Sequence, residues 1–249
     1  MTRNMTEMTW TEYRDAIAVG AAVLVPVGSI EQHGHHLPLE TDIAIATRLA
    51  KRVAAGCNAV VGPPIPFGYK SQALSGGGQI FPGTTSLEGQ TLTLLARDVA
   101  RELLRHGARR ILFLSGHGEN QFFLFEAADL ALAGRNDAKI IVTGWWQHVP
   151  DELLDDLFDG GFPGWDLEHA ATVETAVMLA LAPDSVRGDR IIDEVFLHVP
   201  GYSVFPQPTG LVPTSGLLSR ATPATAAMGE RLVDTVVAAL RDIVAVEFG

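Results

Sequence analysis

The sequence predicts an α/β protein, a three-layer α/β/α sandwich with a largely parallel central sheet. Short apolar runs alternate with stretches of about 10 to 20 residues that have helical periodicity. The apolar runs lack the polar alternation of half-exposed strands, which is typical of parallel strands covered on both faces. Glycine or proline follows most of these segments. Strands and helices that alternate in this way favour a parallel sheet between two helical layers.

The first four elements are predicted from helix caps and apolar runs. Thr9 and Glu12 have the spacing of a capping box, whereas the residues before Thr9 show no pattern and are expected to be irregular. Thr41 or Asp42 is expected to cap the second helix. Two valine-containing runs predict strands. In chain order, the expected elements are helix 10–18, strand 22–27, helix 41–54 and strand 58–61.

The remaining elements follow a long glycine-rich loop at 65–82, and a loop of that length is usually functional or mobile. Thr85 and Glu88 repeat the capping-box spacing and are expected to open the third helix. Four prolines make residues 184–221 irregular, with one or two short strands at most. The later elements are expected at 87–106 (helix), 110–114 (strand), 121–133 (helix), 139–143 (strand), 151–159 (short helix), 168–181 (helix) and from Thr222 or Thr225 to about 246 (helix).

Length and composition narrow the class of protein. A chain of 249 residues is near the upper limit for one hydrophobic core, so we expect a single domain over residues 1–249. The net charge of −11 argues against a nucleic-acid partner, because phosphate binding relies on clustered Lys and Arg. Cys57 is alone and no secretion signal is apparent, which favours the cytoplasm. No run approaches the ~20 apolar residues that span a bilayer, so no membrane partner is expected.

Two of the predicted strands end in short loops that carry ligand-type side chains at alternate positions. Alternate side chains of an extended segment point the same way, so each loop can direct two ligands at one point. Both strand ends lie at the edge of the sheet where ligands bind in parallel α/β folds. Asp42, in the next helix, can add a bridging carboxylate. The alternating residues are Glu31, His33, His117 and Glu119.

This set of residues predicts a site for two divalent metal ions. Imidazole with carboxylate suits Zn, Mn or Fe better than Ca or Mg. A centre of two ions with a shared carboxylate and a bridging water is typical of hydrolytic enzymes. Each residue alone has a simpler structural role, such as a helix cap for Asp42, and the metal site is favoured only by the set. A purely structural zinc site is disfavoured, because such sites are usually rich in cysteine.

A second group of candidates lies further along the chain. His169 and Glu174 are five residues apart on the predicted helix 168–181, about 140° apart around its axis, so they are not expected to bind one ion together. His169 is expected to donate or accept a proton. Glu174 is expected to be a structural carboxylate or to orient a metal-bound histidine. Trp145, Trp146 and Trp165 would either stack on a flat, partly cationic substrate or pack in the core, and core packing is favoured for Trp145.

Four motifs resemble the creatininase (creatinine amidohydrolase) family and cover nearly the whole chain. The segment PVGSIEQHGHHLPLETD, from Pro26 to Asp42, is similar to the N-terminal signature of the family. FPGTTS at 81–86, SGHGEN at 115–120 and GWDLEHA at 164–170 match it further along in the same order. The resemblance implies an α/β/α fold, two Zn or Mn ions per subunit, a hexameric ring and hydrolysis of a carbon–nitrogen bond in a small cyclic amide.

The resemblance also implies roles for individual residues. The metal ligands of the family carry over onto Glu31, His33, Asp42, His117 and Glu119, and His35, His36 and Glu40 are then not ligands. His169, Glu119 and Glu174 are the implied catalytic residues. Trp146, Trp165, Ser75 and Gly118 are the implied substrate-binding residues.

Several features favour creatinine, opened to creatine, as the substrate. They are Glu119, the pair Trp146 and Trp165, and the stretches 68–71 and 75–78. Two positions depart from the family pattern, because His35 stands in place of a proline and Gly118 in place of a tyrosine. Gly118 supports an alternative, in which a related hydrolase acts on another cyclic amide, a formamide, a cyclic keto-sugar derivative or a peptide.

Overall fold

Five parallel strands form a sheet at the centre of the computed structural model, which describes residues 3–72, 77–195, 202–206 and 210–249. In chain order they are β1 (Arg3–Asn4), β2 (Ala22–Val27), β3 (Ala59–Val61), β4 (Arg110–Ser115) and β5 (Lys139–Gly144). Their order across the sheet is β1-β3-β2-β4-β5, and every neighbouring pair is parallel. The parallel sheet predicted from the sequence is confirmed.

Helices cover both faces of this sheet. In the described residues they are α1 (Trp10–Ala18), α2 (Thr41–Ala54), α3 (Gly89–Arg105), α4 (Gln121–Leu132), α5 (Asp151–Leu157), α6 (Thr172–Leu181) and α7 (Ala226–Phe248). Val23 and Val25 of β2 pack with α1, α3 and α4, whereas Leu24 packs on the opposite face with α2, α6 and α7. Successive side chains of a strand point to opposite faces, so the apolar run of β2 supplies both halves of the core. The three-layer prediction is confirmed.

Two of the predicted helix caps form and two do not. Thr9 and Glu12 make the expected reciprocal capping box, and Thr225 accepts a hydrogen bond from Met228 N at 3.1 Å. Thr41 and Asp42 do not cap α2, because both lie inside its first turn and Glu40 precedes them. The hydroxyl of Thr41 instead donates to the carbonyl of Pro38 at 2.7 Å.

The second capping box, at Thr85 and Glu88, is also wrong. Helix α3 begins at Gly89, and Glu88 makes no side-chain cap. Its carboxylate pairs with Lys70, while the Thr85 hydroxyl donates to the carbonyl of Gly83 at 3.1 Å. One tertiary partner, Lys70, and one local carbonyl, of Gly83, therefore use the side chains that the sequence pattern assigned to the helix end.

Three further differences concern short or irregular segments. Strand β1 was missed, because two residues are too few for any periodicity, and it forms only by pairing with β3. Helix α6 begins at Thr172 instead of residue 168. Within the described part of 184–221 there are turns and no strand. Among the helices of the described residues, none is both long and apolar enough to cross a membrane.

The first turn of α2 crosses the ends of β2 and β4 at very close range. Val27 and Ser115 are paired across the two strands, so Gly28 and Gly116 leave the sheet side by side. A Cβ atom at Gly28 would lie 2.4 Å from the backbone nitrogen of Ile43, and one at Gly116 would lie 2.1 Å from the carbonyl oxygen of Asp42. Only glycine allows this approach, which places Asp42 over the carboxyl ends of both strands.

The substitution Gly116→Ala is expected to lower the free energy of unfolding by about 2–3 kcal/mol. The added methyl group has backbone as its neighbour, which cannot move aside cheaply. Urea denaturation of the metal-free protein measures this. Gly118→Ala is the matched control, because its Cβ would meet nothing nearer than 4.0 Å, and it is expected to leave stability unchanged or slightly raised. Equal effects of the two substitutions would contradict the proposed crossing constraint.

Candidate metal centre

The first group of ligand-type side chains lies directly over the ends of β2 and β4. Glu31, Asp42 and His117 are all buried, and one ligand atom from each lies within 4.8 Å of the others. The Nδ1 atom of His117 is 3.2 Å from Oε2 of Glu31 and 3.3 Å from Oδ2 of Asp42. These three residues come from two loops and one helix, and the close crossing of α2 brings them together.

A second buried group lies beside the first and contains His33, His169 and Glu174. The Nε2 atom of His33 is 3.8 Å from Oε2 of Glu174. The rings of His33 and His169 are in contact, with centroids 4.5 Å apart. Two imidazoles and a carboxylate make a donor set of the kind that transition metals prefer.

Asp42 faces both groups. Its Oδ2 atom faces His117 at 3.3 Å, and its Oδ1 atom lies 3.0 Å from Nε2 of His33. Each carboxylate oxygen is therefore directed at a different histidine. This is the arrangement that a bridging carboxylate requires, and the bridging role of Asp42 stays a prediction.

Two backbone carbonyls orient the histidines. His33 Nδ1 is 3.0 Å from the carbonyl oxygen of Glu31, and His117 Nε2 is 3.0 Å from the carbonyl oxygen of Tyr69. A carbonyl can only accept, so the proton of each neutral ring is on the nitrogen that faces the carbonyl. The other nitrogen then presents its lone pair to the carboxylates. Metal-binding histidines are typically held in this way.

When the histidines are neutral, several buried atoms in this centre have no hydrogen-bond partner within the described part of the chain. They are both carboxylate oxygens of Glu31, Nε2 of His33 and Oδ2 of Asp42. Buried polar atoms without a partner are costly and rare in folded proteins. All of these atoms are potential metal ligands and they converge on one place, so the residues fit a pair of divalent cations.

The electrostatics of the centre show the same need for positive charge. Burial disfavours the imidazolium form of His33, but the charges of Asp42, Glu174 and Glu31 outweigh burial and raise its pKa to about 10. Burial likewise opposes ionisation of Asp42, and the neighbouring histidines lower its pKa despite this. The buried carboxylates thus hold protons on the histidines, and divalent cations can replace those protons.

The expected geometry of His169 and Glu174 is wrong. His169 lies before α6, and Ala170 between them has a φ of 54°, which turns the chain. The backbone N–H of Ala170 then donates to Oε2 of Glu174 at 2.7 Å. Because the two residues do not share a helix, their angular separation on a helix does not apply. They face the same point together with His33.

Glu168 is a buried residue of the cleft that no sequence pattern singled out. Its Oε1 atom accepts hydrogen bonds from the backbone N–H groups of Val173 and Glu174, so it caps the first turn of α6. Burial, together with the negative charge of Glu174, raises the pKa of Glu168 to about 8. A cap separated by several residues from the helix start has no recognisable sequence spacing, which explains the omission.

Glu119 stands on the other side of the His117 ring from the first group. Its Oε2 atom is 3.3 Å from Nε2 of His117, and its Oε1 atom accepts a hydrogen bond from Gln72 N at 3.0 Å. The side chain lines the cleft in front of the centre. Its predicted roles as a metal ligand and in catalysis stay predictions.

The centre forms the floor of a cleft of about 550 Å³. The predicted substrate-binding residues Trp146, Trp165 and Gly118 line this cleft. Trp145, for which core packing was favoured, is buried with its ring 6.3 Å from Trp146 and 6.1 Å from Trp165. Ser75 lies outside the described residues.

One family model matches this chain over residues 6–244, and its description is creatinine amidohydrolase. The chain belongs to the creatinine amidohydrolase family. A creatinine amidohydrolase from Pseudomonas putida is 45% identical, and the match covers 97% of this chain and 96% of the relative. A mycofactocin precursor peptide peptidase from Mycolicibacterium smegmatis is 36% identical over 84% of this chain and 78% of the relative.

Solved structures of the creatinine amidohydrolase family superpose closely on this fold. A creatininase described with Mn has a TM-score of 0.96 at 43% identity. A mutant creatininase of the Zn–Zn type has a TM-score of 0.96, and a mutant creatininase complexed with creatine has one of 0.95, both at 42% identity. Each comparison covers 100% of this chain and 99% of the other.

The neighbouring His35, His36 and Glu40 do not belong to either ligand group. His35 and Glu40 are exposed. His36 is buried, and its Nε2 atom is 2.8 Å from the hydroxyl of Thr175 on α6. Burial, followed by the charges of His33 and His35, lowers the pKa of His36 to about 4 from its ordinary value of 6.5.

His36 is expected to make the metal-free protein sensitive to acid. A histidine with a lowered folded-state pKa contributes stability that is fully present above pH 6.5 and is lost as the pH falls towards 4. Between those pH values, the free energy of unfolding is expected to fall by about 2–3 kcal/mol less in His36→Gln than in the wild type. Urea denaturation at each pH measures this difference. The exposed His106→Gln is the control. A wild-type pH profile retained in His36→Gln would refute the assignment.

Proposed function

We propose that this protein hydrolyses creatinine to creatine. The observation that carries the proposal is the shared carboxylate of Asp42, which joins two buried ligand groups on the floor of a cleft walled by Trp146 and Trp165. The relative from Pseudomonas putida is a creatinine amidohydrolase, and a related creatininase binds creatine. Both support creatinine as the substrate.

We propose two divalent cations, Zn or Mn, as the cofactors. Glu31, Asp42 and His117 would hold one ion, and Asp42 with His33 would hold the other, with Glu119 as the predicted further ligand and Glu174 as its alternative. Related creatininases are described with Mn and as a Zn–Zn type, and the imidazole and carboxylate donors suit both metals. Two such ions supply a Lewis acid for a carbonyl oxygen and lower the pKa of water towards about 7.

The protein's own residues bind the ring and move the proton. Trp146 and Trp165 flank the planar ring and exclude bulk water, which strengthens the electrostatic interactions in the cleft. His169 Nε2 is 2.8 Å from the carbonyl oxygen of Gln32 and 2.9 Å from the side-chain amide nitrogen of the same residue, so Gln32 fixes the orientation of the imidazole ring. His169 takes a proton from the attacking water and returns it to the ring nitrogen as the amide bond breaks. Glu174 is proposed to assist by holding Ala170, and with it His169, in place.

We further propose that the chain forms one domain, acts in the cytoplasm and assembles into a hexameric ring. One family model spans residues 6–244, which supports a single domain. The single cysteine supports a reducing compartment. The hexamer follows from the resemblance to the family.

A second candidate substrate is a peptide or another amide. The mycofactocin precursor peptide peptidase from Mycolicibacterium smegmatis is 36% identical to this chain, and Gly118 leaves the cleft open on one side. A panel of creatinine, a formamide, a cyclic keto-sugar derivative and short peptides separates the candidates. Creatinine is expected to have the highest kcat/KM of this panel.

The activity itself is tested by incubating metal-loaded protein with creatinine and measuring creatine. We expect turnover that falls at least about a hundredfold in Glu119→Gln, because an amide cannot replace a carboxylate as an anionic ligand or base. The exposed Glu40→Gln is the matched control and is expected to keep full activity. Turnover by the wild type no faster than by Glu119→Gln would reject creatinine as the substrate.

The shared role of Asp42 is tested by metal content after dialysis. Asp42→Asn is expected to lose tight binding of both ions, whereas Glu31→Gln is expected to lose one, since Asp42 directs one oxygen at His33 and the other at His117, at 3.0 Å and 3.3 Å, while Glu31 approaches the second group only to 3.8 Å, at His169. Mass spectrometry of the bound metal gives the stoichiometry, with circular dichroism to confirm folding. Loss of a single ion in Asp42→Asn would contradict the bridging role.

The same measurement decides the remaining carboxylate ligand. If Glu119 binds the second ion, Glu119→Gln loses one ion and Glu174→Gln keeps two. The reverse result would replace Glu119 by Glu174, whose Oε2 atom already lies 3.8 Å from Nε2 of His33.

A further inference from the structure

A glycine in the wall of the cleft leaves a space that neither the backbone nor the packing requires. Gly118 is the first residue of a 3-10 turn, Gly118–Asn120, and it lines the cleft. Its φ is outside the left-handed region, so any residue can adopt this backbone conformation. Among the described residues, a Cβ atom at Gly118 would meet nothing nearer than Cζ2 of Trp146 at 4.0 Å.

This distinguishes Gly118 from the glycines that hold the centre together. At Gly28 and Gly116, a Cβ atom would approach backbone atoms of α2 to 2.4 Å and 2.1 Å. The backbone of α2 excludes any side chain at these two positions, whereas no described residue excludes one at Gly118. The missing side chain of Gly118 therefore determines the shape of the cleft.

Exposed aromatic side chains form part of the lining of this cleft. Phe122 lies in the first turn of α4, four residues after Gly118, and both residues line the cleft. Phe122 lines the cleft yet is 77% exposed, and Phe205 at the mouth is 70% exposed. Exposed aromatic side chains that line a cleft are typical of surfaces that bind apolar ligand groups.

The cleft is also larger than one small ring needs. Its volume of about 550 Å³ falls within the range of roughly 300–1,000 Å³ that accommodates drug-sized ligands. Creatinine between Trp146 and Trp165 would fill only part of it. The rest includes the space beside Gly118.

We propose that the substrates of this enzyme include cyclic amides of the creatinine type that carry a bulky apolar substituent, which occupies the space bounded by Gly118, Trp146 and Phe122. This inference rests on the proposed amidohydrolase function and names a wider substrate class for the same site. The reaction is unchanged. Water adds to the ring carbonyl, the amide carbon–nitrogen bond breaks, the ring nitrogen takes a proton, and the substituent does not react.

The test compares creatinine with two benzyl analogues, one substituted on the ring nitrogen in place of methyl and one on the ring carbon beside the carbonyl. For wild-type metal-loaded enzyme, we expect at least one analogue to have a kcat/KM within about tenfold of that for creatinine, or higher. Gly118→Phe is expected to lower the kcat/KM of that analogue, relative to creatinine, by at least about tenfold, because the new ring fills the space. Gly118→Ala is expected to have a much smaller effect.

Gly188→Phe is the matched control. Gly188 also begins a 3-10 turn, Gly188–Arg190, and has a φ outside the left-handed region. Among the described residues, a Cβ atom at Gly188 would meet nothing within 4 Å. Gly188 does not line the cleft. For both analogues, the control is expected to retain the wild-type ratio of kcat/KM for the analogue to kcat/KM for creatinine. The Tm of each variant shows whether it is folded.

The outcomes separate this inference from the proposed function. The inference is overturned if the enzyme hydrolyses creatinine but neither analogue. It is also overturned if the ratio of kcat/KM for the analogue to kcat/KM for creatinine is unchanged in Gly118→Phe. Either result leaves the proposed function intact. If wild-type enzyme turns over none of the compounds, the proposed function fails, and binding of the ring-opened benzyl acids, followed by tryptophan fluorescence, decides the inference. Binding at least about tenfold tighter to wild type than to Gly118→Phe supports it, and equal binding overturns it.

Discussion

The structure of the candidate site depends on the close crossing of α2 over the ends of two central strands. Gly28 and Gly116 follow β2 and β4 at paired positions, and the backbone of α2 lies where their side chains would be. This contact carries Asp42 into the interior, between the loop after β2 and the loop after β4. The two loops supply the histidines, so the crossing assembles ligands from segments that are far apart in the sequence. A larger side chain at either glycine would move the shared carboxylate.

The centre also concentrates negative charge in the interior of the protein, and this charge favours the binding of cations. Glu31 and Asp42 are buried together there, and Glu174 is buried in the adjacent group, and buried carboxylates need compensating positive charge. Without cations, the buried His33 and His117 have raised pKa values, since the carboxylates outweigh the effect of burial. Divalent cations can supply this charge, with the histidines then neutral and coordinating.

The floor and the walls of the cleft above the centre differ in the kind of side chain they carry. Its floor is charged and its walls are aromatic, with Trp146 and Trp165 beside the centre and Phe122 nearer the mouth. The relatives of this chain include a creatinine amidohydrolase and a peptide peptidase. Gly118 and Asp42 both line this cleft, Gly118 among the walls and Asp42 in the floor.

Sequence patterns predicted many local features correctly and failed where another contact, local or distant, uses the same side chain. The apolar run of β2 and the capping box at Thr9 were predicted correctly, because periodicity and capping are local. The caps assigned to Thr41 and to Thr85 with Glu88 failed, since Pro38, Gly83 and Lys70 engage those side chains instead. The bend at Ala170 and the capping role of Glu168 had no sequence signal.

The sequence by itself determined the fold class, the parallel sheet and the identity of the main ligand-type residues, because hydrophobic periodicity and residue chemistry are properties of short segments. Only the tertiary structure decided which of these residues face one another. It directed the two oxygens of Asp42 at two different histidines and brought His169 and Glu174 to the same point as His33. The physical reason is that these distances result from packing, in particular from the approach of α2 to two glycines. No spacing of residues along the chain encodes these distances.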